Sequence, residues 1–549
     1  MSIKATGDLW WKNAVFYCLD VETFFDSDGD GCGDLAGLTE RIDYLGGLGV
    51  SCLWLMPFYP SPNRDDGYDI TDFYGVDERI GTLGDVVELV RTARDRGIRV
   101  IADFVVNHTS DQHPWFKSAR ASRDSPYRDF YVWHDKKPSE KPGDVVFPDQ
   151  ENSNWAYDKQ AGQWYLHRFY SHQPDLNIAN PRVRDEIAQI MGFWVELGLS
   201  GFRVDAVPFL IEPTGLPKHA IVDPHELLRD LRAYLNRRSG DAILLGEVNL
   251  AAADQRRFLG DEDGDELHMI FDFLGNQALY LSLARGDAEP LRRTLRAAPA
   301  MPDTCAVARF VRNHDELTLD KLGEDERAEV FARFGPDPGM QLYGRGLRRR
   351  LPAMLDGDAA AIRMTYSLTF SLPGPPVLFY GEEIGMGENL AIEGRMAVRS
   401  PMQWSAEPCG GFSTADPRKL LRPPTAGAFG PDHVNATGMR RDPDSLLNWF
   451  ERLIRRRREC PEIGFGALTV LDTDAPSVLA HRCDWEGSTI VAIHELAGRA
   501  VELKLPLDDG EALVDLFSDA EHALPATLRL ERHAARWYRV RRAGQRLAP

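Results

Sequence analysis

The sequence is poor in cysteine, in basic charge and in long apolar runs, and each shortage closes off a class of protein. Seven cysteines in 549 residues are odd in number, widely scattered and free of any C-x-x-C pair. They build neither a disulfide framework nor a zinc site, and predict reduced thiols in a cytoplasmic protein. With 64 basic against 84 acidic residues the net charge is -20. That leaves no basic surplus to neutralise phosphates, so a nucleic-acid partner is excluded. No stretch approaches the roughly 20 apolar residues of a membrane-spanning helix, and no apolar run followed by small residues opens the chain as a secretion signal would. No membrane partner is expected. The length exceeds the about 100–200 residues of one domain, which predicts two or three domains.

What the chain does have is a recurring alternation. Eight short apolar runs begin at Ala14, Val50, Ile98, Gly201, Ala242, His268, Val307 and Pro375, with segments of helical periodicity between them. In TLGDVVELVRTARDRG, Val86, Val87, Leu89, Val90 and Ala93 trace one helical face and Gly97 ends the helix. Strands alternating with helices imply a parallel sheet, and eight units imply a closed α/β barrel, the (β/α)8 TIM barrel. An open doubly wound sheet is the alternative, but no glycine-rich phosphate turn follows an early strand, and no organic cofactor is expected. Some 70 residues after His108 are too many for one loop and predict an inserted, aromatic-rich subdomain after the third strand. From about Gly464 the pattern changes to alternating apolar runs, which predicts a C-terminal antiparallel β-sandwich. The expected division is barrel 1–108, subdomain 109–176, barrel 177–463 and sandwich 464–549.

An acidic loop, DSDGDGCGD, sets Asp26, Asp28, Asp30, the Cys32 carbonyl and Asp34 at positions 1, 3, 5, 7 and 9 of a calcium loop, with Gly31 at the turn. Position 12 is Gly37 rather than glutamate, so the loop is not an EF-hand. A structural Ca2+ is expected there, against the plainer reading of a solvated acidic turn.

Polar residues end four of the apolar runs: His108, Arg203 with Asp205, Glu247, and Asn313-His314-Asp315. In this fold strand ends converge on the barrel mouth. Asp205 and Glu247, on neighbouring strands, suit the nucleophile and the protonated acid of glycoside chemistry. Arg203 would keep Asp205 ionised, and the apolar AILLG before Glu247 would keep Glu247 protonated.

The segments DFVVNH (103–108), GFRVDAV (201–207), LLGEV (244–248) and FVRNHD (310–315) resemble the four signature regions of the α-amylase family of glycoside hydrolases and transferases. QPDLN (173–177) is similar to a further family motif at the end of the inserted domain. The resemblance runs over nearly the whole chain. It implies Asp205 as nucleophile, Glu247 as general acid/base and Asp315 as stabiliser of the transition state, with Arg203 orienting Asp205. It also implies that His108 and His314 bind the same glucose unit, with Asp103 and Asn107 in support. DDGYDI (65–70) resembles the segment that closes the innermost sugar pocket, which implies Tyr68 stacking on the ring and Asp69 binding its hydroxyls. VRSPMQW (398–404) is similar to a segment of the glucosidase-like branch and adds Arg399. Asn249 is similar to an asparagine of members that interconvert maltose and trehalose, while Val248 departs from their usual alanine and Cys18 from a common glutamine. Longer segments such as NHDELTLD (313–320) also resemble those members, although oligosaccharide α-glucosidases share many of them. The implied substrate is a small sugar, handled by a retaining mechanism. Interconversion with some hydrolysis, hydrolysis of short α-1,4-linked glucosides, and noncatalytic sugar binding all stay open, as does assembly into a homo-oligomer.

Overall fold

A computed structural model of the chain describes residues 9–140, 145–217, 220–507, 512–524 and 527–542; both outermost ends of the expected domains lie outside them. The eight apolar runs become strands β1 (Phe16–Leu19), β2 (Cys52–Leu55), β3 (Arg99–Phe104), β4 (Gly201–Val204), β5 (Ile243–Gly246), β6 (Met269–Phe271), β7 (Ala306–Phe310) and β8 (Pro376–Phe379). They pair in chain order, all parallel, and β8 returns to β1 with Phe16 opposite Val377, closing the barrel. Strands covered on both sides read as nearly continuous apolar runs, as FYCL, CLWL and ILLG do. Gly201 opens β4 at φ +139°, where a Cβ would lie 2.2 Å from the Ile243 carbonyl oxygen of β5. Only glycine tolerates both that backbone and that approach.

The helices form where their caps stand. Leu83–Asp95, between β2 and β3, begins in a capping box of Thr82 and Asp85 and buries Val86, Leu89, Val90 and Ala93. Val87 is 44% exposed, because each helical residue turns about 100° from the last. Pro181–Glu196, before β4, starts behind an Asn180 cap with proline at its first position.

After β3 the chain leaves the barrel for helix Pro114–Ala121 and three short strands, Trp133–His134, Trp155–Asp158 and Gln163–Leu166. Bridges from His108 to Asp175 and from Tyr131 to Leu176 tie this subdomain down at its base. A second excursion follows β7, with helix Glu324–Phe334 and a small sheet of Leu317–Thr318, Gln341–Leu342 and Gly346–Leu347. Strands of two residues carry no periodic signal, and the sequence pattern does not predict them.

Beyond helix Pro461–Phe465 the chain enters a six-stranded antiparallel sheet that starts at Ala467. One face is covered by a two-stranded ribbon, Val501–Lys504 with Thr527–Leu530, whose leucines join Val491, Ile493 and Val540 in one core. The other face packs on barrel helix Ala359–Ser371, where Ser367 Oγ accepts from Trp537 Nε1 at 3.0 Å and bonds His494 Nε2 at 3.0 Å. The two layers expected of the sandwich are therefore unequal, and the barrel supplies the larger cover. Among the described residues no helix is long and apolar enough to cross a membrane.

Candidate active site

Strand register builds the site. Asp103 on β3 pairs with Arg203 on β4, and Arg203 with Leu245 on β5, so the carboxylates at three strand ends meet at one level. Arg203, 2% exposed, donates from Nη1 to Asp103 Oδ1 at 2.5 Å and Asp205 Oδ1 at 2.6 Å, and from Nη2 to Glu247 Oε2 at 2.7 Å. The Ala206 amide donates to the same Glu247 oxygen at 3.2 Å. Ala206 holds φ at +48°, a left-handed conformation rare for a residue with a side chain. That strained turn sits directly after Asp205, as in other sites where backbone strain positions a functional group.

Asp315, beyond β7, faces a different set of partners. Its Oδ1 accepts from Arg395 Nη1 at 2.6 Å and Arg399 Nη2 at 3.2 Å, and His314 Nε2 lies 3.1 Å from its Oδ2. Tyr68 ties the halves together, since its hydroxyl donates to Asp103 Oδ2 at 3.2 Å and lies 2.7 Å from His314 Nε2. The electrostatics follow from these neighbours. Desolvation in the pocket pushes Asp205 up to about 6, helped by Asp103 and Asp315 and opposed by Arg203. It pushes Glu247 up to about 7, with Asp205 and Asp315 adding to it and Arg203 again opposing. For Asp315 desolvation is outweighed by His314, Arg395, Arg399 and Arg203, which hold its carboxyl well below the usual range. One carboxylate thus stays ionised throughout, while the other two share a titration near neutrality.

These groups stand around a cavity of about 500 Å3. Asp205, Glu247, Asp315, Tyr68, His108 and Asn249 reach its wall, as the sequence predicts. His108 donates Nε2–H to the Tyr68 carbonyl at 3.1 Å, and Asn249 donates to Asp320 at 3.0 Å. Arg203, His314 and Arg399 lie behind the wall and act through the carboxylates they hold.

Asp69 corrects the expectation. It is fully buried and accepts from Ser61 Oγ at 2.9 Å, from the amides of Arg64 and Asp65 at 3.1 and 3.2 Å, and from Arg64 Nε at 3.2 Å. It shapes the loop and does not reach the cavity. Asp65 does, paired with Arg395 Nη2 at 2.7 Å and Gln173 Nε2 at 2.9 Å. The reason is the turn between them, where Asp66 and Gly67 take φ of +52° and +88° and reverse the chain. Arg395 is likewise a wall residue that the sequence reading passes over, four residues before Arg399 on the single turn Gly394–Val398. Asp66 is gripped by Arg399 and Arg422 together, and Arg422 also donates to Asp20 at 3.0 Å.

The rim joins the two excursions. Arg345, after β7, donates to the Val146 carbonyl of the inserted subdomain at 2.7 Å. Phe147 lies 4.7 Å from the Tyr170 ring, 5.2 Å from that of Tyr343, and under the Arg395 guanidinium. Phe169, Phe209 and Phe273 add an apolar side, so the cavity combines flat apolar surface with a few convergent charges, the usual make-up of a small-molecule pocket.

The family model described as the catalytic domain of α-amylase matches residues 21–331 and 348–465. The chain belongs to the α-amylase family. Among curated members it is 40% identical to the trehalose synthase/amylase of Mycolicibacterium smegmatis, over 98% of this chain and 93% of that one. It is also 40% identical to the trehalose synthase of a Pimelobacter species, over 97% and 96%. Among solved structures, the trehalulose synthase of Pseudomonas mesoacidophila superposes with a TM-score of 0.78 at 28% identity, covering 97% of this chain and 99% of that one.

In this α-amylase family member the acidic loop folds against the segment after β8. Asp26 accepts from the amides of Gly29 at 2.7 Å and Gly31 at 2.8 Å and from Ser413 Oγ at 2.5 Å. Carboxylate oxygens of Asp26, Asp28 and Asp34 lie within 4.8 Å of one another. The Asp30 amide draws the Asp28 carboxyl down, but desolvation and the charges of Asp30, Asp26 and Asp34 outweigh it and raise it. Asp30 instead accepts the Cys32 amide at 2.7 Å, outside that trio. Three hard oxygen donors on one turn fit a calcium ion, which takes carboxylates and carbonyls.

Proposed function

We propose that the protein interconverts maltose and trehalose by intramolecular glucosyl transfer, with hydrolysis to glucose as the competing outcome. The observation that carries this is the single guanidinium of Arg203 holding Asp205 and Glu247 side by side on the cavity wall, 2.6 and 2.7 Å from its nitrogens. Asp205 attacks the anomeric carbon while Glu247 gives its proton to the leaving oxygen, which leaves a β-glucosyl ester on Asp205. Asp315, ionised throughout, stabilises the positive charge that develops at the sugar ring. His108, Tyr68 and Asn249 bind the sugars at the wall. Glu247, now a base, takes the proton of the next attacking hydroxyl.

What that hydroxyl belongs to decides the product. If the released glucose stays, turns and attacks through its own anomeric hydroxyl, the result is the isomeric disaccharide; if water enters, the result is glucose. The Arg345 link to Val146 and the aromatic rim around Phe147 favour retention. So does the resemblance to trehalose synthases at 40% identity over nearly the full chain.

Following maltose and trehalose separately by NMR with purified protein tests the proposal. Appearance of the other disaccharide with little glucose is the expected result, and glucose alone from maltose would replace it with an α-glucosidase activity. Asp205→Asn is expected to lower turnover by about four orders of magnitude or more. Near-normal turnover in that variant would remove Asp205 from the role.

Ca2+ at Asp26, Asp28 and Asp34 has a structural role in this reading, pinning the acidic loop to the segment around Ser413. Chelation with EDTA should lower the melting temperature and calcium should restore it; a melting temperature indifferent to both would reject the ion. Seven free cysteines, six of them buried, support a reducing, cytoplasmic location. The cavity's size and charges suit a small sugar, and the deficit of basic residues speaks against a nucleic-acid partner.

A further inference from the structure

A second cavity, of about 380 Å3, opens through the barrel's outer layer. It lies beside the helix after β5, Ala252–Arg257, which has only 6 residues. The buried Ile270 of β6 and the half-buried Val307 of β7 form its floor, between that helix and helices Phe273–Arg285 and Glu289–Ala297. Leu259, Leu281 and Leu295 make the walls apolar, and the exposed Ala297 and Met301 stand at the mouth.

The charges on the wall do not balance. Arg309 is paired with Asp272, Lys321 with Asp320 at 2.8 Å and Arg293 with Glu326 at 3.6 Å. Arg256 has no carboxylate partner among the described residues, and donates only to the carbonyls of Ala300, Gly260 and Asp261, at 3.1, 2.5 and 3.4 Å. One surplus positive charge beside an apolar cavity is complementary to an apolar body with a single negative charge.

Two glutamines connect this cavity with the active site. Gln255 Nε2 donates to the carbonyl of Val248, the residue between Glu247 and Asn249, at 3.1 Å. Gln277 Nε2 donates to Asp320 Oδ1 at 3.1 Å and its Oε1 accepts from the Lys321 amide at 2.8 Å, while the same Asp320 oxygen takes the Asn249 amide at 3.0 Å. Both glutamines line the second cavity. We propose that this cavity is an effector site for a small apolar monoanion, and that its occupancy is felt at Glu247 and Asn249 through Gln255 and Gln277. A ligand that shifts either glutamine shifts a hydrogen bond of the active-site wall, which is the differential contact that coupling between sites requires.

The probe is 8-anilinonaphthalene-1-sulfonate, an aromatic body with one sulfonate, added to the full-length protein. Its fluorescence should rise to saturation with one molecule bound per chain. Arg256→Gln should weaken binding several-fold, and Ala278→Phe, which fills the cavity, should abolish it. Where circular dichroism shows that Ala278→Phe does not fold, Thr294→Trp at the half-buried rim takes its place. Glucoside turnover, whichever product forms, should change along the same saturation curve in the unaltered protein, and in Gln277→Leu the probe should bind with a diminished effect on turnover. Fluorescence that never saturates, or that survives the filling variants, overturns the site. Turnover indifferent to saturating probe overturns the coupling, and neither result depends on which disaccharide is made.

Discussion

Arg203 serves three acids at once, yet burial outweighs it at Asp205 and Glu247, and the consequence is a narrow working range. The reaction needs Asp205 without its proton and Glu247 with it. With the two raised to about 6 and about 7, kcat/KM should climb as pH rises through the first and fall as it passes the second, a bell whose limbs belong to the pair. Asp103 is one of the negative neighbours that raise Asp205, so Asp103→Asn should move the acid limb to lower pH; a limb that stays put would show that Asp103 does not act on Asp205. The two aspartates around Tyr68 should separate cleanly. Asp65→Ala removes a charged wall group and should lower kcat/KM about tenfold or more in steady-state assays. Asp69→Ala strips the loop of its internal acceptor, and should cost about 3 kcal/mol in denaturant titration while the folded fraction keeps its KM. At this scale the sequence was readable where a functional residue directly follows a barrel strand, as Asp205 and Glu247 do, or stands a few residues beyond one, as Asp315 does. It misled where a turn decides which of two aspartates reaches the cavity, because two successive positive φ angles leave no periodic trace.

Among the elements, β4 holds Arg203, which grips three carboxylates, and delivers Asp205 directly after its last residue; its first residue is Gly201. Gly201→Ala would bring a Cβ to 2.2 Å from the Ile243 carbonyl oxygen at a φ of +139°, forcing β4 away from β5. A loss of about 3 kcal/mol or more is expected by chemical denaturation, with reduced turnover in the protein that still folds, since Arg203 lies two residues along the same strand. All eight strands were legible because burial on both faces writes nearly continuous apolar runs, broken only by Arg99 and Asp103 in β3, Arg203 in β4 and Arg309 in β7. The inserted subdomain was legible as excess length, aromatic content and the QPDLN segment at its end, but not as individual elements, and the sheet after β7 not at all. Yet those two excursions meet at Arg345 and Val146 to form the rim. Elements that merely close a cavity need little core of their own, and a small core leaves a weak pattern.

For the whole molecule, the joint between barrel and C-terminal sheet is buried and holds two histidines. His481 donates Nε2–H to the Ser371 carbonyl at 2.9 Å, and its ring lies 6.3 Å from that of His494. Burial lowers His481 to about 4 and holds His494 well below its ordinary value. Both imidazoles are then neutral in the folded protein, whereas the unfolded chain takes protons near pH 6.5. Their contribution to stability is complete above that pH and is lost as pH falls toward 4. Melting temperatures measured across that window should fall more steeply for the unaltered protein than for His494→Asn; parallel curves would show that the joint does not titrate. The order of the chain has a consequence of another kind. Asp65 and the arginine that answers it, Arg395, are 330 residues apart, and the barrel has no closing strand until Pro376–Phe379 has been made. At about 5–20 residues per second, the ribosome releases that aspartate roughly 20 to 70 s before its partner. Until then its carboxylate, like those of Asp66 and Asp315, lacks the cations that will hold it, and the cavity cannot take its final form. The active-site wall is therefore completed only by the last third of the chain to be made.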